Sequence, residues 1–179
     1  MNHPLHEKIG NLIEVTFKDF ANLKIVKDPA CCQGDETDLQ QIPLFRTDQK
    51  SRHTRYCCVD LLILQKGKIR GIVEIEEADI KPTQICGKFL TSALTNFYIH
   101  EKDGGKVEMA NSVFFLQVLD SSKLKDRSAK LEQFKNLEHS IQEIIPLKNS
   151  RIDRYKLLAG KESDDLSEMI HFIKTELGR

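Results

Sequence analysis

The chain has 179 residues, of which 40% are hydrophobic and 30% charged, and its 27 basic side chains balance its 27 acidic ones. This composition is typical of one soluble globular domain with a substantial core. Zero net charge excludes a partner attracted by bulk charge, so any phosphate-binding surface must be a local patch. The sequence lacks both a signal-peptide pattern and an apolar run approaching the ~20 residues of a membrane span. We therefore expect a cytoplasmic protein that does not contact a membrane.

The five cysteines, an odd number, argue against a disulfide framework. Two adjacent pairs, Cys31-Cys32 and Cys57-Cys58, raise a zinc site as the alternative. Ligands of structural zinc are usually spaced by two to four residues, and neighbours on a strand point to opposite faces. We interpret these residues as small buried thiols.

The first part of the chain predicts a helix, a short strand and a polar segment. Residues 3–20 carry apolar side chains at helical spacing, with Glu7 and Glu14 beside that stripe. Residues 23–27 are predicted to form a short strand. Residues 28–55 are polar and rich in turn formers, apart from the apolar patch Ile42-Pro43-Leu44-Phe45, which we expect to pack against the core. The end of that segment is the most basic stretch of the chain: Arg46, Lys50, Arg52, His53 and Arg55. A solvated loop and a phosphate-binding surface remain equal alternatives there.

Two apolar segments then fold back on each other at Lys66-Gly67-Lys68. Asp60 and Glu74 each lie seven residues from the glycine, so a three-residue loop centred on it makes them cross-strand neighbours. Glu76 projects from the same face as Glu74. The strands are apolar on both faces, as central strands are. Three acids on one face are costly unless a cation lies among them.

The rest of the chain alternates helices and strands. Thr83 is the expected N-cap of a helix running to about His100, whose first turns place Gln84 and Lys88 on one face, near the acids. The later predicted elements are a strand at 112–119, a basic loop at 121–127, a helix at 128–145, a strand at 154–158 and a helix from 164 to 177. This order predicts an α/β fold in which helices flank a central mixed sheet.

Clustered carboxylates are typical ligands of Mg²⁺ or Mn²⁺. Asp60, Glu74 and the backbone carbonyl of Ile75 are the expected metal ligands. Glu76 is either a further ligand or the group that takes a proton from the attacking water. The alternative is a solvated strand end whose glutamates pair with neighbouring lysines.

The pair Val59-Asp60 and Glu74-Ile75-Glu76 resembles the motif of the PD-(D/E)xK nuclease superfamily, which includes many type II restriction endonucleases. The order helix, three-stranded meander, helix, strand agrees over about residues 5–119. The resemblance implies a single nuclease-like domain over 1–179, with a restriction-endonuclease-like core and a helix-strand-helix segment at 121–179 packed on it. It also implies a metal-dependent DNA endonuclease.

The sequence departs from the family motif at two positions. Val59 replaces a loosely kept proline, and Glu76 replaces the usual lysine. Some family members carry a glutamate there, and others use a lysine or glutamine from the next helix, which Lys88 or Gln84 matches here. Glu14, or failing it Glu7, matches the acid that many members carry on the first helix.

The resemblance implies duplex DNA as the substrate, and a homodimer is a reasonable assembly for cutting both strands. The expected phosphate contacts are Arg46, Lys50, Arg52 and Arg55 on one surface, and Lys123, Lys125, Arg127 and Lys130 on another. Two other functions remain open. One is a catalytically inactive nucleic-acid-binding or interaction module with the same fold, and the other is a metal-free interaction protein.

Overall fold

The structure is a computed structural model that describes residues 3–32, 40–78, 80–100, 102, 104–124, 127–161 and 163–178, without the side chain of Arg127. It confirms the α/β class and the mixed sheet flanked by helices. The helices are α1 (Pro4–Phe17), α2 (Pro82–Ala93), α3 (Arg127–Ile144) and α4 (Ser167–Leu177). The strands are β1 (Leu23–Lys27), β2 (Ile42–Phe45), β3 (Arg55–Val59), β4 (Leu61–Gln65), β5 (Lys68–Glu76), β6 (Phe97–Ile99), β7 (Lys106–Asp120) and β8 (Ile152–Gly160).

The centre of the sheet is parallel and its flanks are antiparallel. Strand β5 runs parallel to β7 and antiparallel to β4, and β4 pairs in turn with β1. On its other side, the long strand β7 pairs with two strands. Its first part pairs with β6 in the antiparallel orientation, and its last part pairs with β8 in the parallel orientation. Strands β2 and β3 extend the sheet beyond β6. The carboxyl ends of β5, β7 and β8 therefore lie at one edge of the sheet.

Helices cover both faces of the sheet. Apolar side chains of α2 and α3, such as Phe89 and Phe134, pack on the face that includes Ile72 of β5. Side chains of α1 and α4, such as Ile9 and Ile173, pack on the opposite face, together with Val73. Both faces of β5 are buried, which confirms the prediction of central strands.

The turn of the central hairpin differs from the prediction of a three-residue loop. Lys66 and Gly67 both have positive φ angles, 52° and 76°, and form a two-residue turn that pairs Gln65 with Lys68. Two positive φ angles suit a tight hairpin because the backbone then twists with the strands. A bulge at Arg70 adds one residue to β5, so Leu61 pairs with Val73. Continued by one residue, this register sets Asp60 against Glu74, as predicted, although Asp60 lies just beyond the strand.

Tertiary pairing overrides the local pattern between α2 and β7. The predicted helix over residues 84–100 was too long: α2 starts after the N-cap Lys81, not Thr83, and ends at Ala93. The residues Phe97–Ile99 form β6 because β7 and β2 both hydrogen-bond to them. Strand β2 is the apolar patch predicted to pack against the core, which it does, although its strand conformation was not predicted. Strand β7 begins six residues before the predicted strand.

The cysteines form no disulfide. The Cys57 sulfur lies 3.5 Å from the Ser92 hydroxyl, and Cys58 contacts the Gln41 side chain on the other face of β3. Burial raises the pKa of the Cys57 thiol to about 11. Within the described residues, no cysteine belongs to a group placed to share a metal ion. None of the described helices has the length and apolarity needed to cross a bilayer.

Candidate active site

The carboxylates at the end of β5 face helix α2. Glu74 and Glu76 alternate with Ile75, and their exposed fractions are only 1% and 4%. The Lys88 ammonium lies 2.8 Å from Glu74 Oε2 and 2.9 Å from Glu76 Oε1. The contact with Glu74 is a hydrogen bond, whereas the contact with Glu76 Oε1 is an ion pair without a hydrogen-bonding angle. One lysine therefore binds both acids, as the two-residue spacing on a strand allows.

Asp60 joins this cluster from the junction of β3 and β4. Its Oδ2 accepts a hydrogen bond from the backbone N–H of Ile75 at 2.7 Å, which fixes the carboxylate at the end of β5. Its own carbonyl oxygen accepts a hydrogen bond from the Asp28 N–H at 2.9 Å. The Asp60 carboxyl also lies close enough to Glu74 for its charge to raise the pKa of that group. Two carboxyls this close require a shared proton or a cation.

Helix α2 places the side chains of Gln84 and Lys88 next to the acids, as predicted. Pro82 begins the helix close behind the acids, since only five residues lie between Glu76 and Pro82. In this first turn, the Gln84 amide donates to Glu76 Oε2 at 3.2 Å. Lys88 follows a turn further on, on the same face. The structure thus brings together Asp60, Glu74, Glu76, Gln84 and Lys88.

The electrostatics of the cluster follow from burial. Burial raises the pKa of Glu74 well above its usual value, the nearby Asp60 adds to this, and Lys88 opposes it. The pKa of Glu76 is raised for the same main reason. Burial would also raise the pKa of Asp60, but the nearby His6 ring and the charge of Lys88 bring it below its usual value. Three carboxylates share one ammonium, so the cluster has room for further positive charge.

Two oxygens of the cluster accept no hydrogen bond from the described residues, and only Glu76 Oε1 has an ion pair with Lys88 instead. Glu74 Oε1 is buried and meets no hydrogen-bond donor within the described part of the chain. An unpaired buried carboxylate oxygen is costly, and a hard divalent cation is the partner that suits it. Asp60 and Glu74 therefore fit a Mg²⁺ or Mn²⁺ ion, and the Ile75 carbonyl remains the predicted third ligand.

Sequence reasoning missed a set of residues behind the cluster. His6, 7% exposed, places Nε2 3.6 Å from Asp60 Oδ2 and Nδ1 2.6 Å from Glu77 Oε2. His3 Nδ1 lies 3.2 Å from the same Glu77 oxygen. The sequence held only part of the signal: His3 and His6 are three residues apart at the start of the predicted helix, and Glu77 directly follows the predicted motif, but no local pattern places them together.

Glu14 lies away from the acids. Its side chain is 56% exposed and forms a 2.6 Å ion pair with Lys27. It is eight residues beyond His6, or about 12 Å along the helix axis. The structure therefore does not bring Glu14 into the cluster.

The predicted phosphate-binding residues lie at two places. Arg46, Lys50, Arg52 and Arg55 are exposed on the β2–β3 connection and the first residue of β3. Five residues of extended chain, about 17 Å, separate Arg55 from Asp60. Lys123 is exposed just after β7, at the sheet edge that carries the acids. Lys125 lies outside the described residues, as does the side chain of Arg127, whose backbone begins α3.

Comparison of the chain with protein-family models, with curated proteins and with solved structures gives no match. The interpretation of the site therefore rests on its own geometry.

Proposed function

We propose that this protein is a metal-dependent endonuclease that hydrolyses phosphodiester bonds in duplex DNA, in the manner of a type II restriction enzyme. One observation carries the proposal: Asp60 and Glu74 meet at the end of a buried strand, with a buried Glu74 oxygen unpaired among the described residues and Lys88 beside it. A stable fold does not need three acids at this position. A homodimer remains the expected assembly, and cysteines outside any disulfide fit a cytoplasmic location.

The residues divide the chemistry among them. Asp60 and Glu74, with the Ile75 carbonyl, would hold Mg²⁺ or Mn²⁺, which when bound lowers the pKa of a water and stabilises charge on the phosphodiester. Lys88 places a second positive charge where the reacting phosphate gains negative charge. Glu76 has a raised pKa, which suits a group that accepts a proton from water near neutral pH. The Gln84 amide fixes the orientation of Glu76 by donating to it.

The alternative is a catalytically inactive module with the same fold that binds nucleic acid or another partner. The favouring observation is that Lys88 already contacts both Glu74 and Glu76, which is the compensation that a metal-free cluster needs. The glutamate in the usual lysine position points the same way.

Cleavage of supercoiled plasmid DNA in Mg²⁺ or Mn²⁺, alongside thermal unfolding with each metal, tests the proposal. We expect metal-dependent nicking by the wild-type protein and at least a hundredfold loss, on the order of 3 kcal/mol in transition-state stabilisation, in Asp60→Asn. The metal should also raise the melting temperature of the wild-type protein but not of Asp60→Asn. Asp19→Asn, an exposed aspartate, is the matched control and should behave as wild type.

The outcomes separate the two functions. Metal-dependent stabilisation without cleavage supports the inactive module. Cleavage that persists in EDTA, or a metal response that Asp60→Asn leaves intact, contradicts the assignment of the site.

A further inference from the structure

Three side chains on the α1 side of the sheet converge on one point. His3, His6 and Glu77 each offer one ligand atom, and these atoms all lie within 4.8 Å of one another. Both imidazoles direct Nδ1 at the same carboxylate oxygen, Glu77 Oε2, at 3.2 Å and 2.6 Å. The two rings meet edge to face with centroids 5.2 Å apart. Two imidazole nitrogens and a carboxylate are the ligand set of many zinc sites.

Neighbouring groups hold these ligands in place. The backbone N–H of Leu5 donates to Glu77 Oε1 at 2.8 Å, which leaves Oε2 to face the imidazoles. The other ring nitrogen of His6 faces Asp60 Oδ2 at 3.6 Å. A metal-binding histidine commonly directs its second ring nitrogen at a carboxylate in this way, which fixes the tautomer and the ring orientation. His6 therefore has the surroundings of a ligand, in addition to a suitable side chain.

We propose that His3, His6 and Glu77 bind a divalent transition-metal ion of the zinc type, at a site separate from the carboxylate cluster. Imidazole nitrogen selects zinc-like ions over Mg²⁺, which prefers oxygen ligands. The Nδ1 atoms of both histidines act as the ligand atoms, and Glu77 Oε2 completes a set of three. A set of three protein ligands leaves a fourth position for water or substrate.

The two sites lie on opposite faces of the same strand end. Glu74 and Glu76 face α2, whereas Glu77 faces α1. Asp60 contacts both groups through Glu74 and His6. Zinc bound at the histidine site ties the first turn of α1 to the end of β5, so it stabilises the fold independently of any cleavage activity.

Isothermal titration of the full-length protein with Zn²⁺, in buffer without Mg²⁺ or Mn²⁺, tests the site. We expect His3→Ala and Glu77→Gln each to lower the Zn²⁺ affinity at least about tenfold. His139 and Glu143 form an exposed pair 3.3 Å apart on α3, so His139→Ala and Glu143→Gln are matched controls and should bind as wild type. His3 is 39% exposed, so its substitution leaves the core intact, and circular dichroism checks the fold of each variant.

Glu74→Gln separates the two sites. Our proposal requires this variant to keep its Zn²⁺ affinity, because Glu74 belongs only to the carboxylate cluster. Loss of affinity in His3→Ala and Glu77→Gln together with retention in Glu74→Gln supports the histidine site, whether or not the protein cleaves DNA. Unchanged binding in either His3→Ala or Glu77→Gln, or an equal loss in Glu74→Gln, overturns it.

Discussion

At the scale of single residues, Glu74 is under the greatest electrostatic strain in the cluster. It is 1% exposed, one of its oxygens is unpaired among the described residues, and another carboxyl lies beside it. Its folded pKa is raised above the ordinary 4.5, so the native state holds a proton that the unfolded state has released. Stability contributed by such a group is lost as pH rises from the unfolded value toward the folded one.

We therefore expect Glu74→Gln to stabilise the metal-free protein, and to do so more strongly as the pH rises from about 5 to about 8. The gain at the upper end should be at least about 1 kcal/mol, since the amide carries no charge to bury and Lys88 keeps Glu76 as a partner. Urea unfolding in EDTA at several pH values measures it, with the exposed Glu143→Gln as control. A variant less stable than wild type throughout this range would contradict the prediction.

Lys88→Met should have the opposite effect. Removing the ammonium takes the nearest positive charge away from the three acidic groups, and we expect a loss of about 3 kcal/mol in the metal-free protein. Mn²⁺ bound in this variant neutralises negative charge that Lys88 no longer balances. It should therefore raise the melting temperature of the variant by more than it raises that of wild type. Thermal unfolding with Mn²⁺ and with EDTA measures both effects, with the exposed Lys18→Met as control. An equal metal response in both proteins would refute this account of the charges.

At the scale of elements, the end of β5 is positioned by close packing between strands. A Cβ atom on Gly71 would come within 2.1 Å of the Phe114 ring on β7. Gly71 and Phe114 are both buried in the centre of the sheet, where close packing leaves neither strand room to move. The glycine thus allows β5 and β7 to approach in the register that sets Glu74 beside Gln117.

Gly71→Ala should destabilise the protein by about 1–3 kcal/mol and weaken its metal response, because the strand must shift to relieve the clash. Gly87→Ala is the matched control, since nothing lies within 4 Å of the added methyl group and α2 favours alanine. Urea unfolding of both variants checks the contrast. Equal effects of the two substitutions would contradict the close packing between Gly71 and Phe114.

At the scale of the whole molecule, zero net charge makes DNA binding depend on local surfaces. Arg55, the first residue of β3, lies five residues of strand from Asp60, a span of about five base pairs of duplex. The duplex that we propose as the substrate would therefore be long enough to contact both Arg55 and the acids. Lys123 lies at the edge of the sheet that carries the acids.

Arg52→Ala combined with Arg55→Ala should weaken binding to a short DNA duplex and reduce the slope of log affinity against log salt by about 2. The Mn²⁺-induced rise in melting temperature should not change, because neither arginine touches the acids. Fluorescence anisotropy over a range of salt concentrations measures the binding, with Lys18→Ala combined with Lys24→Ala as control. An unchanged slope would remove this surface from the proposed interface.

The sequence by itself determined the alternation of elements and the residues of the carboxylate cluster. Strands apolar on both faces must be central, and a glutamate two residues after another shares its face, so Asp60, Glu74 and Glu76 followed from local rules. The position of α2 soon after β5 likewise made Gln84 and Lys88 the expected neighbours. Each of these inferences depends on residues close together in the chain.

Only the tertiary structure decided what depends on distant pairing. Strands β2 and β6 have weak local patterns and exist because partner strands bond to them. Glu14 was expected near the acids from a family resemblance, yet it lies eight residues beyond His6 on α1, about 12 Å along the helix axis. Helix α1 packs across the end of β5, which brings His3 and His6 next to Glu77. His6 and Glu77 are 71 residues apart in the sequence. Local periodicity carries no information on such contacts, since they arise from burial of a shared core.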